Sequence, residues 1–340
     1  MIYSNDELHG GNFLEVIKEK LPHSGNVAIA SGYVSDNVIS KFKDDFYRIV
    51  EEGGKFKLLV GMAFHEGLPA KKLKNLQEID AKLRSISSDC GIYVCHARRF
   101  HGKIYSFQKE NDLNIYLGSS NFSGSGLSEN LECTAEVYDD DTKSRLTSYI
   151  DYIFHKNNSV SIENADIAVL GSEEYKKRIA ITRLNDLERY DPSTIDKTVL
   201  DSFDYPLSRA ASSEKSNLNA YFGKGRWSRV TGKIKPRDWY EVELIAPAAI
   251  NQLPLYPKGE FTAYTHDGYI MPMKTSGDNC KNIRSLNKLT ILGEWIKDKL
   301  QKAGVLAPLT PITSETLGKY GKDTLRFYKI DESKYYIEWL

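Results

Sequence analysis

The strongest constraint on the fold is a rhythm that fills the first half of the chain and then stops. Asn26–Ala30 (NVAIA) and Lys55–Gly61 (KFKLLVG) are short apolar runs suited to buried strands. Between them, Ser35 or Asp36 can cap a helix running towards Val50, which Gly53 and Gly54 end. Leu73, Leu76, Ile79 and Leu83 mark one face of a helix over Lys71–Ile86. Gly91–Cys95, Lys103–Phe107, Leu113–Leu117 and Cys133–Tyr138 read as strands, and a helix from about Thr142 to His155 closes the unit. This alternation predicts an α/β layered fold. Around Asn157–Glu174 the pattern weakens. Beyond it Arg237–Ile245, Glu260–Thr265 and Tyr269–Lys274 read as strands, Leu286–Leu300 as a helix, and Leu325–Ile330 with Tyr335–Leu340 as a closing hairpin. The expected organisation is a domain over 1–165, a linker over 166–180 and a mostly β domain over 181–340, which suits a chain of 340 residues.

The chemistry concentrates in His101–Glu136. His101 and Lys103 are two apart on a predicted strand and so share a face. The strand over Leu113–Leu117 runs into Gly118-Ser119-Ser120-Asn121, a small-residue turn that lets backbone and short polar groups approach an anion. Glu132 stands just before the next apolar core. Phosphodiester hydrolysis without a metal needs a nucleophile, an acid for the leaving oxygen, and donors for the non-bridging oxygens. Imidazole attacks when neutral and donates when protonated. His101, Lys103, Ser119, Asn121 and Glu132 supply every role but one, because a single such histidine leaves the acid to come from elsewhere.

The order HxK, GSxN, then glutamate resembles the signature of the phospholipase D superfamily. It is carried here by His101-Gly102-Lys103, Gly118–Asn121 and Glu132. The resemblance implies a covalent phosphohistidine mechanism with no metal cofactor. His101 would be the nucleophile, and the same histidine of a second copy the general acid and then the general base. Lys103 and Asn121 would hold the phosphate, Ser119 would support it and Glu132 would orient the histidine. A chain with one motif, as here, would build its site across a homodimer. The family pattern has an aspartate five residues after the lysine, where this chain has Gln108. That departure separates it from the lipid-processing branches.

Net charge is zero but unevenly spread. Residues 1–170 hold 19 basic and 24 acidic side chains, and the remainder 27 and 22. Within 221–290 the balance is 11 to 6, a basic excess that can meet a phosphate backbone. One basic segment interleaves Arg226, Arg229, Lys233, Lys235 and Arg237 with Trp227 and Trp239. A second carries Lys274, Ser276, Asp278, Asn279, Lys281, Asn282 and Arg284, types that contact phosphates and read base edges. These segments, with the final RFYKIDESKYYIEWL, resemble the C-terminal half of NgoFVII-type (BfiI-like) restriction endonucleases. That resemblance implies a B-three-like DNA-binding pseudobarrel whose two arms grip the major groove.

The expected function is therefore a site-specific endonuclease acting on double-stranded DNA. The alternatives are an inactive DNA-binding protein and a lipid phosphodiesterase of the same superfamily. The chain has no GxxxxGK[ST] loop, so any ATP dependence falls to a separate helicase-like partner. Cys90 and Cys95 with His96 lack the spacing of a zinc knuckle, and no metal site is expected. No apolar run approaches a membrane span, and MIYSNDELHG lacks the pattern of a signal peptide, so a cytoplasmic location without membrane contact is expected.

Overall fold

The computed structural model describes every residue except Glu7, Ile181 and Thr182, together with all side chains but those of Lys177 and Arg178. The start expected for the second domain, at 181, lies outside the described residues. The chain divides into two compact units: Met1–Tyr175 with Lys224–Pro236, and Lys176–Gly223 with Arg237–Leu340.

The first unit is a mixed sheet flanked by helices. Its strands are β1 (Ile2–Tyr3), β2 (Asn26–Ser31), β3 (Lys55–Val60), β4 (Gly91–Cys95), β5 (Lys103–Lys109), β6 (Asp112–Gly118), β7 (Thr134–Val137) and β8 (Ser159–Ser161). Their order across the sheet is β1-β7-β6-β5-β2-β3-β4-β8. Only β2, β3 and β4 run parallel, as the helical connections between them require. The helices are α1 (Phe13–Lys20), α2 (Asp36–Glu51), α3 (Ala63–Glu66), α4 (Ala70–Ile86) and α5 (Asp140–Phe154).

Strand alternation sorts the core into two layers. Val27, Ile29, Phe56, Leu58, Tyr105 and Phe107 pack with Phe13, Phe42, Phe46 and Leu83 of α1, α2 and α4. Ala30, Leu59, Ile104 and Ile115 pack with Ile150, Ile153 and Phe154 of α5. The stretch after α5 belongs to this unit as well. Buried Asp80 of α4 accepts from the Ile92 N–H at 2.6 Å and from the Ser161 hydroxyl at 2.7 Å, tying α4 to β4 and β8.

The segment Lys224–Pro236 is compacted with the first unit, although its sequence position lies inside the expected second domain. It forms a two-residue-per-strand hairpin of β10 (Arg226–Trp227) and β11 (Ile234–Lys235). Ile234 bridges Ala165 and accepts from the Asp166 N–H at 2.8 Å. The Gly225 N–H donates to the His96 carbonyl at 2.9 Å.

The second unit is built on a sheet of seven strands ordered β12-β15-β14-β13-β17-β16-β9. They are β9 (Ser202–Pro206), β12 (Leu244–Ile245), β13 (Glu260–Thr265), β14 (Ile270–Ser276), β15 (Asn282–Ser285), β16 (Thr324–Lys329) and β17 (Lys334–Trp339). Only β13 and β17 pair parallel. The sheet curls as a half-barrel around Trp239, Trp295, Phe327 and Trp339. The strand expected over Arg237–Ile245 shrinks to Leu244–Ile245. The Asp238 carboxylate accepts from the Tyr240 N–H at 2.9 Å, a local turn that competes with a ladder. Trp239 and Tyr240 are both buried in sequence, which a one-sided strand does not allow. The helix expected from Leu286 begins at Ile291 and runs to Lys302, because Ser285 ends β15 and its hydroxyl accepts from the Leu292 N–H at 2.8 Å.

Lys297 of that helix is fully buried. Its ammonium donates to the Trp239 carbonyl and lies 3.8 Å from the centre of the Trp239 ring. Burial pushes its pKa down to about 7, against the pull of Asp238 and Glu241. Unfolding restores the ordinary value near ~10.4. Between these values the unfolded chain holds a proton that the folded one does not. Stability is therefore full above the unfolded pKa and falls as pH drops towards 7, by up to about 1.4 kcal/mol per pH unit. Lys297→Met is expected to flatten the dependence of denaturant-unfolding stability on pH between about 7.5 and 9.5. An unaltered slope in the variant would show that Lys297 keeps its charge in the fold.

Candidate active site and nucleic-acid interface

Topology alone gathers the candidate catalytic residues. β2 and β3 end at one edge of the first sheet. β5 runs antiparallel to β2 and so begins there; β6 runs antiparallel to β5 and ends there; β7 begins there in turn. His101 and Lys103 at the head of β5, Ser119 and Asn121 beyond β6, and Glu132 ahead of β7 thus all reach the same edge.

His101 is exposed and precedes β5 rather than lying within it. Lys103, the first residue of β5, is buried, with its Nζ 3.0 Å from His101 Nδ1 and 2.6 Å from the His101 carbonyl. An ammonium only donates, so Nδ1 is the acceptor and a neutral ring carries its proton on Nε2. Burial lowers the Lys103 pKa, and the negative charge of Glu132 draws it back up. Lys103 thus stands at the sheet edge with few waters around it.

The turn after β6 is held from below. A Cβ on Gly126 would lie 2.6 Å from the Asn121 backbone nitrogen, so only glycine lets the single π turn Ser125–Glu129 pack against it. Ser120 is buried, accepts from Thr134 Oγ1 at 2.7 Å, and offers its carbonyl to the Tyr105 hydroxyl at 2.7 Å. The Asn121 carboxamide is oriented by β2. Its Oδ1 accepts from the Tyr33 N–H at 3.2 Å, and Ser31 Oγ lies 3.4 Å away. With the oxygen engaged, the Nδ2 hydrogens remain to serve a ligand. Ser31 is itself fixed, accepting from the Phe122 N–H at 3.0 Å and donating to the Tyr33 carbonyl at 2.6 Å.

Glu132 stands beside Ser119 in the single chain. Its carboxylate takes a short hydrogen bond from the Ser119 hydroxyl, whose oxygen accepts from the Cys133 N–H at 2.8 Å. The neighbour of His101 Nδ1 is Lys103. In this single chain Ser119 and Glu132 therefore form one pair, and His101 and Lys103 another. Among the described residues no group of three or more His, Cys, Asp or Glu side chains is placed to hold one metal ion.

The candidate DNA-contacting residues fall in two places. Arg226, Trp227, Arg229, Lys233 and Lys235 lie on or beside the β10–β11 hairpin of the first unit, where Trp227 is 64% exposed and Lys233 lies 3.6 Å from Glu163. Arg237 belongs to the second unit and pairs with Glu241 at 3.0 Å. The other set surrounds the β14–β15 hairpin. Met273, Thr275, Ile283 and Ser285 point inward, which puts Lys274, Ser276, Asn282 and Arg284 on the outer face. Lys274 stands directly opposite Arg284, and Ser276 opposite Asn282. Like charges facing across a ladder repel unless an anion lies over them. Arg284 Nε and Asn282 Oδ1 are buried and have no hydrogen-bond partner. The connecting turn carries Asp278, Asn279 and Lys281; Asn279 takes a left-handed conformation (φ 56°), and Lys281 lies 3.6 Å from Asp278.

An α/β unit with this edge, followed by a half-barrel presenting such a hairpin, defines a phospholipase D-type nuclease joined to a DNA-binding domain. Comparison with known families agrees. Residues 12–169 match the NgoFVII restriction endonuclease N-terminal PLD domain, and residues 193–331 match the NgoFVII C-terminal B3-like DNA-binding domain. The chain belongs to the NgoFVII restriction endonuclease family. Among solved structures, the phospholipase D family member Nuc from Salmonella typhimurium is 10% identical over 45% of this chain and 91% of its own, with a TM-score of 0.33. NucT from Helicobacter pylori is 16% identical over 41% and 86%, with a TM-score of 0.30. Polyphosphate kinase from Porphyromonas gingivalis is 13% identical over 47% of this chain, which spans only 24% of that enzyme, with a TM-score of 0.31. No curated protein matches the chain.

Gly32 provides a test of the geometry. A Cβ there would lie 3.3 Å from His101 Cδ2 and 3.6 Å from Asn121 Oδ1. Gly32→Ala is expected to displace the imidazole by a few tenths of an ångström and to lower the single-turnover cleavage rate roughly tenfold, with DNA affinity retained. A wild-type rate would show that His101 has room to spare.

Proposed function

We propose that this protein is a restriction endonuclease that cuts DNA at or near a specific site through a phosphohistidine, without a metal, in a homodimer with one active centre. The observation that carries the reading is the convergence at one sheet edge of an exposed imidazole, a buried ammonium 3.0 Å from it, and a carboxamide whose donor face is free. Lys103 supplies the positive charge that a metal enzyme takes from its ion, and Asn121 supplies a further donor to the non-bridging oxygens. His101 attacks phosphorus to form a P–N bond. The same histidine of a second copy protonates the departing ester oxygen, then takes a proton from the water that breaks the P–N bond. A second copy is needed because this chain carries one HxK.

For attack through Nε2, the ring proton must move to Nδ1. A carboxylate accepting from Nδ1–H holds that tautomer and frees the Nε2 lone pair, while Lys103, now 3.0 Å from Nδ1, moves to the phosphate as its cation. Glu132 and Ser119 brace the turn that carries Asn121, and a turn of Glu132 towards His101 on substrate binding or pairing is part of the same reading. The second unit selects the site, through the outer face of the β14–β15 hairpin and with help from the residues around β10–β11. The facing Lys274 and Arg284 on the outer face support DNA there. Action in the cytoplasm and a separate ATP-dependent helicase-like partner are part of the proposal; among the described residues no helix is long and apolar enough to cross a membrane.

Wild-type protein incubated with plasmid DNA in EDTA is expected to give discrete fragments, and His101→Ala none. Cleavage that survives His101→Ala would overturn the mechanism, and a strict requirement for added divalent ion would overturn the metal-free reading. Replacing Lys274 and Arg284 with alanine is expected to weaken site-specific binding at least tenfold. It should also reduce the slope of log affinity against log salt by about one for each phosphate that is no longer neutralised. Gel-shift titration at several salt concentrations measures both, and an unchanged affinity would remove this hairpin from the interface.

A further inference from the structure

The carboxyl end of β2 contributes more than a backbone donor. Tyr33 follows Gly32, where an added Cβ would lie 3.3 Å from His101 Cδ2. The Tyr33 ring meets the His101 imidazole nearly perpendicularly, at an interplanar angle of 81° with the ring centres 5.7 Å apart. Edge-to-face packing of this kind is directional and fixes the plane of the smaller ring. The phenol does not swing freely. Its hydroxyl donates to Glu66 Oε2 at 3.0 Å, and the other carboxylate oxygen lies 3.8 Å from an Arg99 guanidinium nitrogen. Glu66 is the last residue of α3, just beyond β3, and Arg99 lies two residues before His101. Three connections at the active edge, after β2, after β3 and before β5, are thus linked through one phenol.

Lys103 holds the ring of His101 at Nδ1 only. A single contact at one nitrogen leaves the ring able to pivot about it. The Tyr33 ring removes that freedom by packing against the imidazole. We propose that Tyr33, anchored by Glu66, is a positioning residue that fixes the plane of His101 and so aims Nε2 at phosphorus. The assignment rests on the reading of His101 as the nucleophile. Tyr33 forms no bond to substrate in this role. It acts through the imidazole, and the backbone N–H that orients Asn121 is retained in every side-chain variant of Tyr33.

That separation makes the role measurable. Single-turnover cleavage of a site-containing duplex by the full-length protein would be compared for wild type, Tyr33→Leu, Tyr33→Phe, Glu66→Gln and Glu66→Ala, with thermal melts and DNA affinity recorded for each. Tyr33→Leu is expected to lower the cleavage rate by about 10- to 100-fold while DNA affinity stays within about twofold. Tyr33→Phe keeps the ring and should recover most of that loss, leaving a deficit of a few-fold from the missing anchor. Glu66→Gln retains an acceptor for the phenol and should keep most of the rate that Glu66→Ala loses. A purely structural role predicts instead that rate losses follow lowered melting temperature, with no rescue by Phe. That result, or a wild-type rate in Tyr33→Leu, would overturn the proposal. His101→Ala run in the same assay separates the two levels. If it still cleaves, the nucleophile assignment fails and the proposal fails with it; if it is inactive while Tyr33→Leu is normal, only the positioning role fails.

Discussion

The pairing of β5 with β2 is the constraint on which the candidate catalytic edge depends. Six residue pairs run from Asn26–Gln108 to Ser31–Lys103. A slip of one residue would exchange the two faces of β5, sending Tyr105 and Phe107 into the α5 layer and Ile104 into the other. Each misplaced side chain would meet a layer shaped for a residue of another size, leaving a cavity or an overpacked contact that costs about 1–3 kcal/mol. Sorting of apolar groups on both faces therefore determines where Lys103 points and how far His101 stands beyond the sheet. The polar contacts at the edge adjust a position that the core has already set.

Lys103 and Lys297, both buried, illustrate how similar burial serves different ends. Lys297 has its ammonium enclosed by Trp239 and is held at the cost of a strongly lowered pKa. It has nothing to offer a ligand. Lys103 lies at the rim beside an exposed imidazole, with Glu132 offsetting the effect of burial. A cation kept charged in partial isolation from water acts strongly on a nearby anion, because little solvent screens it. Outside the core, Lys274 and Arg284 obtain a related effect by facing each other across a strand pair.

Much of this was legible in the sequence, for a local reason. His101, Lys103, Ser119 and Asn121 sit at the ends of adjacent strands joined by a tight connection, so spacing in the chain maps directly onto spacing in the fold. Ser31, Tyr33 and Glu66 were not legible. Ser31 and Tyr33 meet Asn121 and His101 across 68 to 90 residues of chain, and a serine or tyrosine after a strand carries no local mark of that encounter. Tyr33 becomes visible only once the register places the end of β2 beside the head of β5. The strand expected over Arg237–Ile245 misled for a different reason: its aromatic and β-branched residues Trp239, Tyr240 and Val242 are buried in an irregular segment that Asp238 turns, and only Leu244–Ile245 pairs. The partner of Glu132 was equally hidden, since choosing between Ser119 and His101 requires the rotamers of all three.

The hairpin of β10 and β11 has a consequence for how such a chain could be rearranged in evolution. Its residues lie between two stretches of the second unit, yet Ile234 completes the core of the first and bridges Ala165. The two units are therefore interleaved along the gene rather than placed end to end. A single recombination event between Tyr175 and Gly223 would give the nuclease unit a foreign hairpin to bridge Ala165. Exchanging the recognition unit cleanly would take crossovers on both sides of Lys224–Pro236, so that hairpin and nuclease are inherited together.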